Sequence, residues 1–327
     1  MNEAPPLARD QSPEAVFILN PAAHNVPQRQ QLAEADGWLH DHGWATTWKE
    51  THAPGAAIAF AAEAADRRVP LVIAVGGDGT VNEVANGLAG SETVMGTIPA
   101  GTSNIWAREI GFSRKPLAAV QAIATGDRRQ IDLGRTGDRY FVLFAGFGID
   151  AAVTKTVPLG IKAKVGAAAY AISAARQAFA WRPTPMTIRI DGVERKLDVL
   201  QAFAGNTRLY AGITKIASAA IADDGKLDFC VYVGTGKPDI LMHAARTFFQ
   251  VHRRSDKVLY RRATKLEFDT DHPLPAQVDG DPIEPPPREV YVVPDALWVA
   301  TPAGFTSPML SRPAHRDEPN LLQPRTG

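Results

Sequence analysis

The feature that most constrains this chain is an abrupt change of pattern after residue 75. Leu71-Val72-Ile73-Ala74-Val75 is a short continuous apolar run, as expected of a strand buried on both faces of a parallel sheet. Gly76-Gly77-Asp78-Gly79-Thr80 then places three glycines in five positions, which permits backbone angles and close approaches that a Cβ forbids. Beyond it Val81, Val84, Ala85 and Leu88 recur at i, i+3, i+4 and i+7, one apolar stripe of a helix. A turn between strand and helix aims unpaired backbone N–H groups at whatever lies above it, which makes an anion site. Asp78 sharpens this reading. A carboxylate in a phosphate cradle repels phosphate unless a divalent cation lies between them, so the loop reads as a site for a metal-complexed nucleotide; the alternative role for Asp78 is a helix cap.

A second transition repeats the design. Val94-Met95-Gly96-Thr97-Ile98 reads as a strand, Pro99-Ala100-Gly101-Thr102-Ser103-Asn104 as a loop, and Ile105 onward as a short helix. Two such loops side by side form one pocket beyond the carboxyl ends of the strands. Upstream, Val16-Phe17-Ile18-Leu19 reads as a strand ended by Asn20-Pro21, and residues 28–42 as a helix with Leu32, Ala35, Trp38 and Leu39 inward. Residues 45–50 read as a strand and 56–66 as a helix, an alternation that implies a parallel sheet covered on both faces. After a helix over 116–125 the pattern changes. Runs at 140–145, 187–190, 195–204, 227–233, 264–268 and 289–293 favour strands, and Asp191-Gly192 is a hairpin turn between two of them. The predicted fold is therefore α/β plus β: a three-layer nucleotide-binding domain with a parallel sheet at 14–128, then a mainly antiparallel β-sandwich at 129–303. Residues 304–327, rich in Pro, Ser, Arg and Asp, read as a mobile tail.

The paired motifs carry a specific resemblance. Gly76-Gly77-Asp78-Gly79-Thr80 followed by Asn82-Glu83, then Pro99-x-Gly101-Thr102-x-Asn104, resembles the catalytic domain of the diacylglycerol kinase and sphingosine kinase superfamily. The resemblance spans about Val16 to Ala303 and implies an ATP- and Mg2+-dependent kinase acting on a hydroxyl of a membrane lipid. It implies nucleotide contacts at Asn20, Thr51, Gly76, Gly77, Asp78, Gly79, Thr80, Glu83, Gly101, Thr102 and Asn104. Gln277-Val278-Asp279-Gly280-Asp281 resembles the family's Asp-Gly-Glu motif, which implies Asp279 as general base beside Asp78, with Asp281 where glutamate is usual. Asp223-Asp224-Gly225 resembles a segment associated with a structural magnesium ion, so Asp223, Asp224 and Asp281 are the implied metal ligands. Two departures stand out: Ala23-His24-Asn25 replaces the usual glycine after Asn20-Pro21, and Ile105 stands where several members have aspartate.

Rival readings are an NAD kinase, which shares the Gly-Gly-Asp-Gly loop, and a non-catalytic nucleotide-binding regulatory protein. Gly146-Phe147-Gly148-Ile149-Asp150-Ala151 superficially matches a dinucleotide fingerprint but lies in the β-rich half without the crossover, so its glycines mark a bend or close packing. Among 327 residues Lys+Arg and Asp+Glu are both 35, so nothing global points to nucleic acid. The single Cys230 forms no internal disulfide. The start Met1-Asn2-Glu3-Ala4-Pro5-Pro6 lacks the regions of a signal peptide, and the apolar stretch 165–175 is too short to span a bilayer. The expectation is a cytoplasmic protein that visits the inner membrane face peripherally, with a membrane lipid as partner and a homodimer as one assembly. Surfaces that can meet lipid are a helical insertion at 154–181 with Lys162, Lys164 and Arg176, and the basic clusters His252-Arg253-Arg254 and Arg261-Arg262; a solvated face is the alternative for each.

Overall fold

The structure is a computed structural model that describes residues 12–156, 180–210, 212, 214–272 and 274–314. The first part alternates strands and helices: β1 (Glu14–Leu19), α1 (Arg29–Asp41), β2 (Ala45–Glu50), α2 (Ala56–Asp66), β3 (Leu71–Gly76), α3 (Asp78–Leu88), β4 (Val94–Pro99), α4 (Ile105–Glu109) and α5 (Pro116–Ala124). Its strands are parallel in the order β4-β3-β1-β2. Every residue of β3 and β4 is buried, as the unbroken apolar run of β3 requires, with Thr97 the one polar side chain of β4. The helices pack as two pairs, α1 with α5 and α2 with α3. Small residues set the second contact. The buried residues of α2 are all alanine, and a Cβ at Gly87 of α3 would lie 2.6 Å from the Ala61 Cβ, so the two helices approach closely only because neither carries bulk there.

The second part is antiparallel: β5 (Asp127–Thr136), β6 (Arg139–Phe141), β7 (Phe144–Gly148), α6 (Ile149–Thr156), β8 (Thr184–Ile190), β9 (Val193–Gly205), β10 (Leu227–Val233), α7 (Lys237–Phe248), β11 (Val258–Ala263), β12 (Lys265–Asp269), β13 (Ala276–Val278), β14 (Asp281–Ile283) and β15 (Glu289–Thr301). The parallel and antiparallel parts form one continuous sheet through β15. Its first residues pair antiparallel with β12, and Trp298 and Val299 pair parallel with Val94 and Met95 of β4. The Asp191-Gly192 turn joins β8 to β9, with φ of 46° and 81° at the two positions and Ile190 paired with Val193. Gly146 and Gly148 mark close packing, as expected: a Cβ at Gly148 would lie 2.6 Å from the Leu200 carbonyl oxygen.

Two expectations need correction. The predicted strand at 140–145 is broken between β6 and β7, because the Val142 and Leu143 N–H groups leave the ladder to bond a side chain described below. The segment from Gly304, predicted to be mobile, is anchored as far as residue 314. Met309 is fully buried, and the Ser311 and Arg312 N–H groups donate to the Asp223 carboxylate at 2.7 and 2.8 Å. Helix α7 is an element not read from sequence, and the exposed Arg261 and Arg262 lie in strand β11. The insertion expected to be helical falls at 157–179, outside the described residues. Among the described residues no helix is long and apolar enough to cross a membrane.

Candidate active site

The two glycine loops meet backbone to backbone. A Cβ built at Gly101 would lie 2.6 Å from the Gly77 Cα and 2.9 Å from Asn104 Oδ1, and one at Gly77 would lie 3.2 Å from the Gly101 Cα. The Ala100 N–H donates to the Gly76 carbonyl at 2.8 Å, which carries the β3–β4 register into the loops. Asn104, in the left-handed region at φ 46°, closes its own loop: its Oδ1 accepts the Gly101 N–H and its Nδ2 donates to the Gly101 carbonyl, both at 2.8 Å. Asn20 joins from β1, donating to Thr80 Oγ1 at 3.1 Å. Where the family glycine is absent, Asn25 stitches the first loop to the second, its N–H bonding the Ala100 carbonyl at 2.7 Å and its Nδ2 the Gly101 carbonyl at 2.9 Å. His24 is exposed, as a plain loop residue should be. Gly79 and Thr102 are the exposed members of the two loops, and Thr51 stands half-buried where β2 ends, its N–H on the Leu19 carbonyl.

Two acidic residues of α3 have structural partners that sequence did not reveal. Asp78 caps neither its own helix nor empty space; its Oδ1 accepts the Trp106 N–H at 3.1 Å, at the start of α4 on the other loop. Burial pushes the Asp78 carboxyl up from its ordinary value, opposed by the backbone N–H groups of Ile105, Trp106 and Asn104. The Glu83 carboxylate turns to α2, accepting the N–H groups of Gly55 at 3.0 Å and Ala57 at 3.2 Å, a negative charge at a helix N-terminus. Ile105 is buried in the apolar core, so an acidic role at that position is absent here.

Asp279 and Gly280 form the two-residue loop between β13 and β14, at φ 47° and 96°. The Asp279 carboxylate is buried and accepts four donors: Phe144 N–H at 2.8 Å, Val142 N–H at 3.0 Å, Leu143 N–H at 3.1 Å and Asn82 Nδ2 at 2.7 Å. Burial nevertheless pushes its carboxyl up to about 7, with those hydrogen bonds opposing. Asn82, which holds Asp279, lies one turn along α3 from Asp78, so the two side chains stand about 6 Å apart on the same helix face. Asn82 and Asn86 together hold Tyr140, whose carbonyl accepts from both at 3.1 and 3.0 Å. These two asparagines join the parts of the molecule at the site; their spacing of four in a predicted helix was the only sequence signal. The hairpin is braced from behind by Gln277, whose Oε1 accepts the Gly280 N–H and whose Nε2 donates to Asp150, both at 2.7 Å.

The three implied metal ligands do not come together. Asp281 lies near Glu83 and Arg139, whose guanidinium is 3.6 Å away; burial raises its carboxyl, Arg139 opposes and Glu83 adds to the rise. Asp224 pairs with Arg262, and Asp223 is filled by the N–H groups of Ser311 and Arg312 and by the Ser311 hydroxyl at 2.8 Å. The Arg312 guanidinium also faces Asp132 at 3.4 Å and pairs with Asp295. A fixed cation of the chain thus already sits among the carboxylates of this corner, beside the Asp223 and Asp224 expected as metal ligands. Among the described residues no group of three His, Cys, Asp or Glu side chains converges as a metal site.

Comparison with known proteins agrees with this architecture. The diacylglycerol kinase catalytic domain model matches residues 14–136, and that of the YegS C-terminal NAD kinase beta sandwich-like domain matches residues 144–301. The diacylglycerol kinase of Bacillus subtilis (strain 168) is 29% identical over 270 residues, covering 82% of this chain and 89% of that protein. A probable lipid kinase, YegS-like, of Chromohalobacter salexigens is 29% identical over 292 residues, covering 88% and 93%. A crystal structure of a diacylglycerol kinase from Bacillus anthracis str. Sterne superposes with a TM-score of 0.69 at 20% identity over 89% of this chain and 97% of that one, a likeness of fold.

Proposed function

We propose, for a chain that belongs to the diacylglycerol kinase superfamily of lipid kinases, that ATP binds between the two glycine loops and gives its γ-phosphate to a hydroxyl of a membrane lipid alcohol. Diacylglycerol, a sphingoid base or a ceramide-like alcohol fits this chemistry. What supports the reading above all is the closure of Gly77 on Gly101, backbone against backbone with no room for a Cβ on either, beside an α3 N-terminus that no side chain caps. A phosphate chain is the ligand such a cradle suits. Gly79, Thr80 and Thr102 contact the nucleotide, and Asn20, Thr51 and Asn104 shape the loops around it. Asp78 fixes the second loop through α4 rather than reaching the phosphates directly.

Magnesium ordinarily needs only one or two protein carboxylates beside the nucleotide's own phosphates, and Asp281, near Glu83 of α3, would provide one; bound, it would offset charge on the transferred group. Asp279 takes the hydroxyl proton of the acceptor. A carboxyl pushed up to about 7 is basic enough for this at neutral pH, and the Asn82 amide, the one side-chain donor among its four partners, is the bond an incoming hydroxyl replaces.

The test is mass spectrometry of a mixed lipid extract incubated with Mg-ATP and the protein, with Asp279→Asn as control. We expect a phosphorylated lipid from the wild type and a loss of about 10²–10⁴-fold in the variant with nucleotide binding retained. NADP formed from NAD in its place would establish the NAD kinase; ATP binding without any product would leave a regulatory protein.

A further inference from the structure

Helix α7 is amphipathic in the reverse of the usual sense. Its buried side chains are Asp239 and His243. Asp239 pairs with Lys257 at 2.6 Å and accepts the Thr235 N–H at 2.8 Å, while His243 Nε2 lies 2.8 Å from the Val233 carbonyl oxygen. The opposite face, turned to solvent, carries Leu241, Ala244, Ala245 and Phe248, at i, i+3, i+4 and i+7. Leu241 is 58% exposed, Phe248 and Phe249 71% each, and Val251 37%. Only Val193 is a comparably exposed large apolar side chain elsewhere among the described residues, so random scatter does not account for the group.

Charge surrounds the apolar side chains on one side. Arg253 and Arg254 follow directly and are exposed, with Arg246 half-buried on the helix and Asp256 as the acidic neighbour. Arg253 is held in place over the Tyr260 ring, 4.3 Å from its centroid. The position in the fold is as telling as the composition. The Thr247 carbonyl accepts the Thr214 hydroxyl at 3.0 Å, and Thr214 pairs with Tyr210. The Tyr210 hydroxyl bonds Asp150, which is bonded in turn by Gln277 of the Asp279 hairpin. The end of α7 therefore stands at the outer end of a chain of contacts that begins at the acceptor side of the site.

We infer that Leu241, Phe248, Phe249 and Val251, flanked by Arg246, Arg253 and Arg254, dock this protein on a bilayer surface rich in anionic phospholipid. Aromatic side chains enter the boundary between headgroups and acyl chains, and guanidinium groups draw on the negative surface potential. The basic rim is what selects a membrane over a second copy of the chain, because a copy would bring the same arginines together. The choice of partner rests on the lipid kinase reading above, since an enzyme whose acceptor stays in the bilayer must reach it from the surface.

The experiment is co-sedimentation of the full chain, without ATP, on phosphatidylcholine vesicles with and without phosphatidylglycerol. Wild type should bind the anionic vesicles and release them as salt rises. Phe248→Ser with Phe249→Ser should lose at least about tenfold in binding, and Arg254→Glu about fivefold or more, with melting temperatures unchanged. Turnover of a short-chain, monomeric acceptor should be the same in wild type and the double variant, while turnover of a vesicle-borne acceptor falls. Absence of wild-type binding, a double variant that binds as wild type does, or a solution dimer that the double variant dissolves would each overturn the inference. Vesicle binding lost in the double variant, with no lipid phosphorylated by any form, would uphold the docking face and remove the kinase reading.

Discussion

The two glycine loops leave no room for a methyl group at their closest point. Gly101→Ala places a methyl 2.6 Å from the Gly77 Cα, against backbone that cannot rotate away, so the loops must part. We expect nucleotide affinity to fall at least about tenfold and stability by about 1–3 kcal/mol, read by calorimetric titration and urea melts. Gly79→Ala, with nothing within 4 Å of its Cβ, should leave the fold unchanged, which separates packing from contact with ligand. Asp279 and Asp191 make a second instructive pair. Both begin Asp-Gly hairpins at φ near 47°, and both carboxylates collect backbone N–H groups, Asp191 those of Thr264 and Lys265. The hairpin motif alone therefore assigns no chemistry. What distinguishes Asp279 is burial and the amide of Asn82 reaching it from the other part of the chain. Because its carboxyl is pushed up to about 7, turnover by the base form should rise as pH passes through about 7 and level off above it. The stability consequence has the opposite sign: a folded pKa above the unfolded 3.8 favours the folded state at low pH, so stability falls as pH rises from about 4 to about 7. Urea midpoints across that window, with Asp279→Asn removing the slope, check the sign; an activity limb near 4 would remove Asp279 as base.

Helix α3 does more than end a glycine turn. One face lines the nucleotide loop, Glu83 holds the start of α2, and Asn82 and Asn86 hold Tyr140 and Asp279 of the antiparallel part. Asn86 both accepts the Tyr140 N–H at 2.9 Å and donates to its carbonyl, so Asn86→Ala should cost about 1–3 kcal/mol and loosen the closed approach of the two parts. Urea melts measure the first, and hydrogen exchange at Val142 to Phe144 the second; unchanged protection there would limit Asn86 to α3 itself. Elements whose periodicity is local were legible in sequence. Strands β2 and β3 and helices α2 and α3 follow directly from apolar spacing and glycine breaks. The break between β6 and β7 was not, because Val142 and Leu143 look like strand residues and only a carboxylate 136 positions away takes their N–H groups. Helix α7 escaped for a related reason: its apolar stripe is there, but Pro238 and the buried Asp239 and His243 disguise which side faces in. The glycine loops were legible as two strand-to-helix turns set side by side, while the partners of Asp78 and Glu83 lay on other elements and had no local signature.

At the scale of the molecule, the chain closes on itself twice. Strand β15 ties the antiparallel part to β4, and the segment after it returns to the corner where Asp132, Asp223 and Asp295 gather. Asp132 and Asp223 are buried, and carboxylates so placed need a cation or a set of donors. Residues 309–312 provide both: Met309 fills apolar space, the Ser311 and Arg312 backbone satisfies Asp223, and the Arg312 guanidinium faces Asp132 and Asp295. The Arg129 side chain reciprocates by donating to the Arg312 carbonyl at 2.7 Å. A chain ending at residue 303 loses all of this at once. It should be less stable by about 3–5 kcal/mol, from a vacated apolar site and a buried Asp223 carboxylate left without its donors. Arg312→Ala, which removes the guanidinium and its bonds but keeps Met309 and the backbone donors to Asp223, should cost less, about 1–3 kcal/mol. Since the arginine already supplies the positive charge, a chelator should not move the wild-type urea midpoint; a midpoint that falls with chelator and recovers with magnesium would put a metal back beside Asp223. An unchanged midpoint in the shortened chain would show instead that the returning segment is carried passively by the sheet it covers.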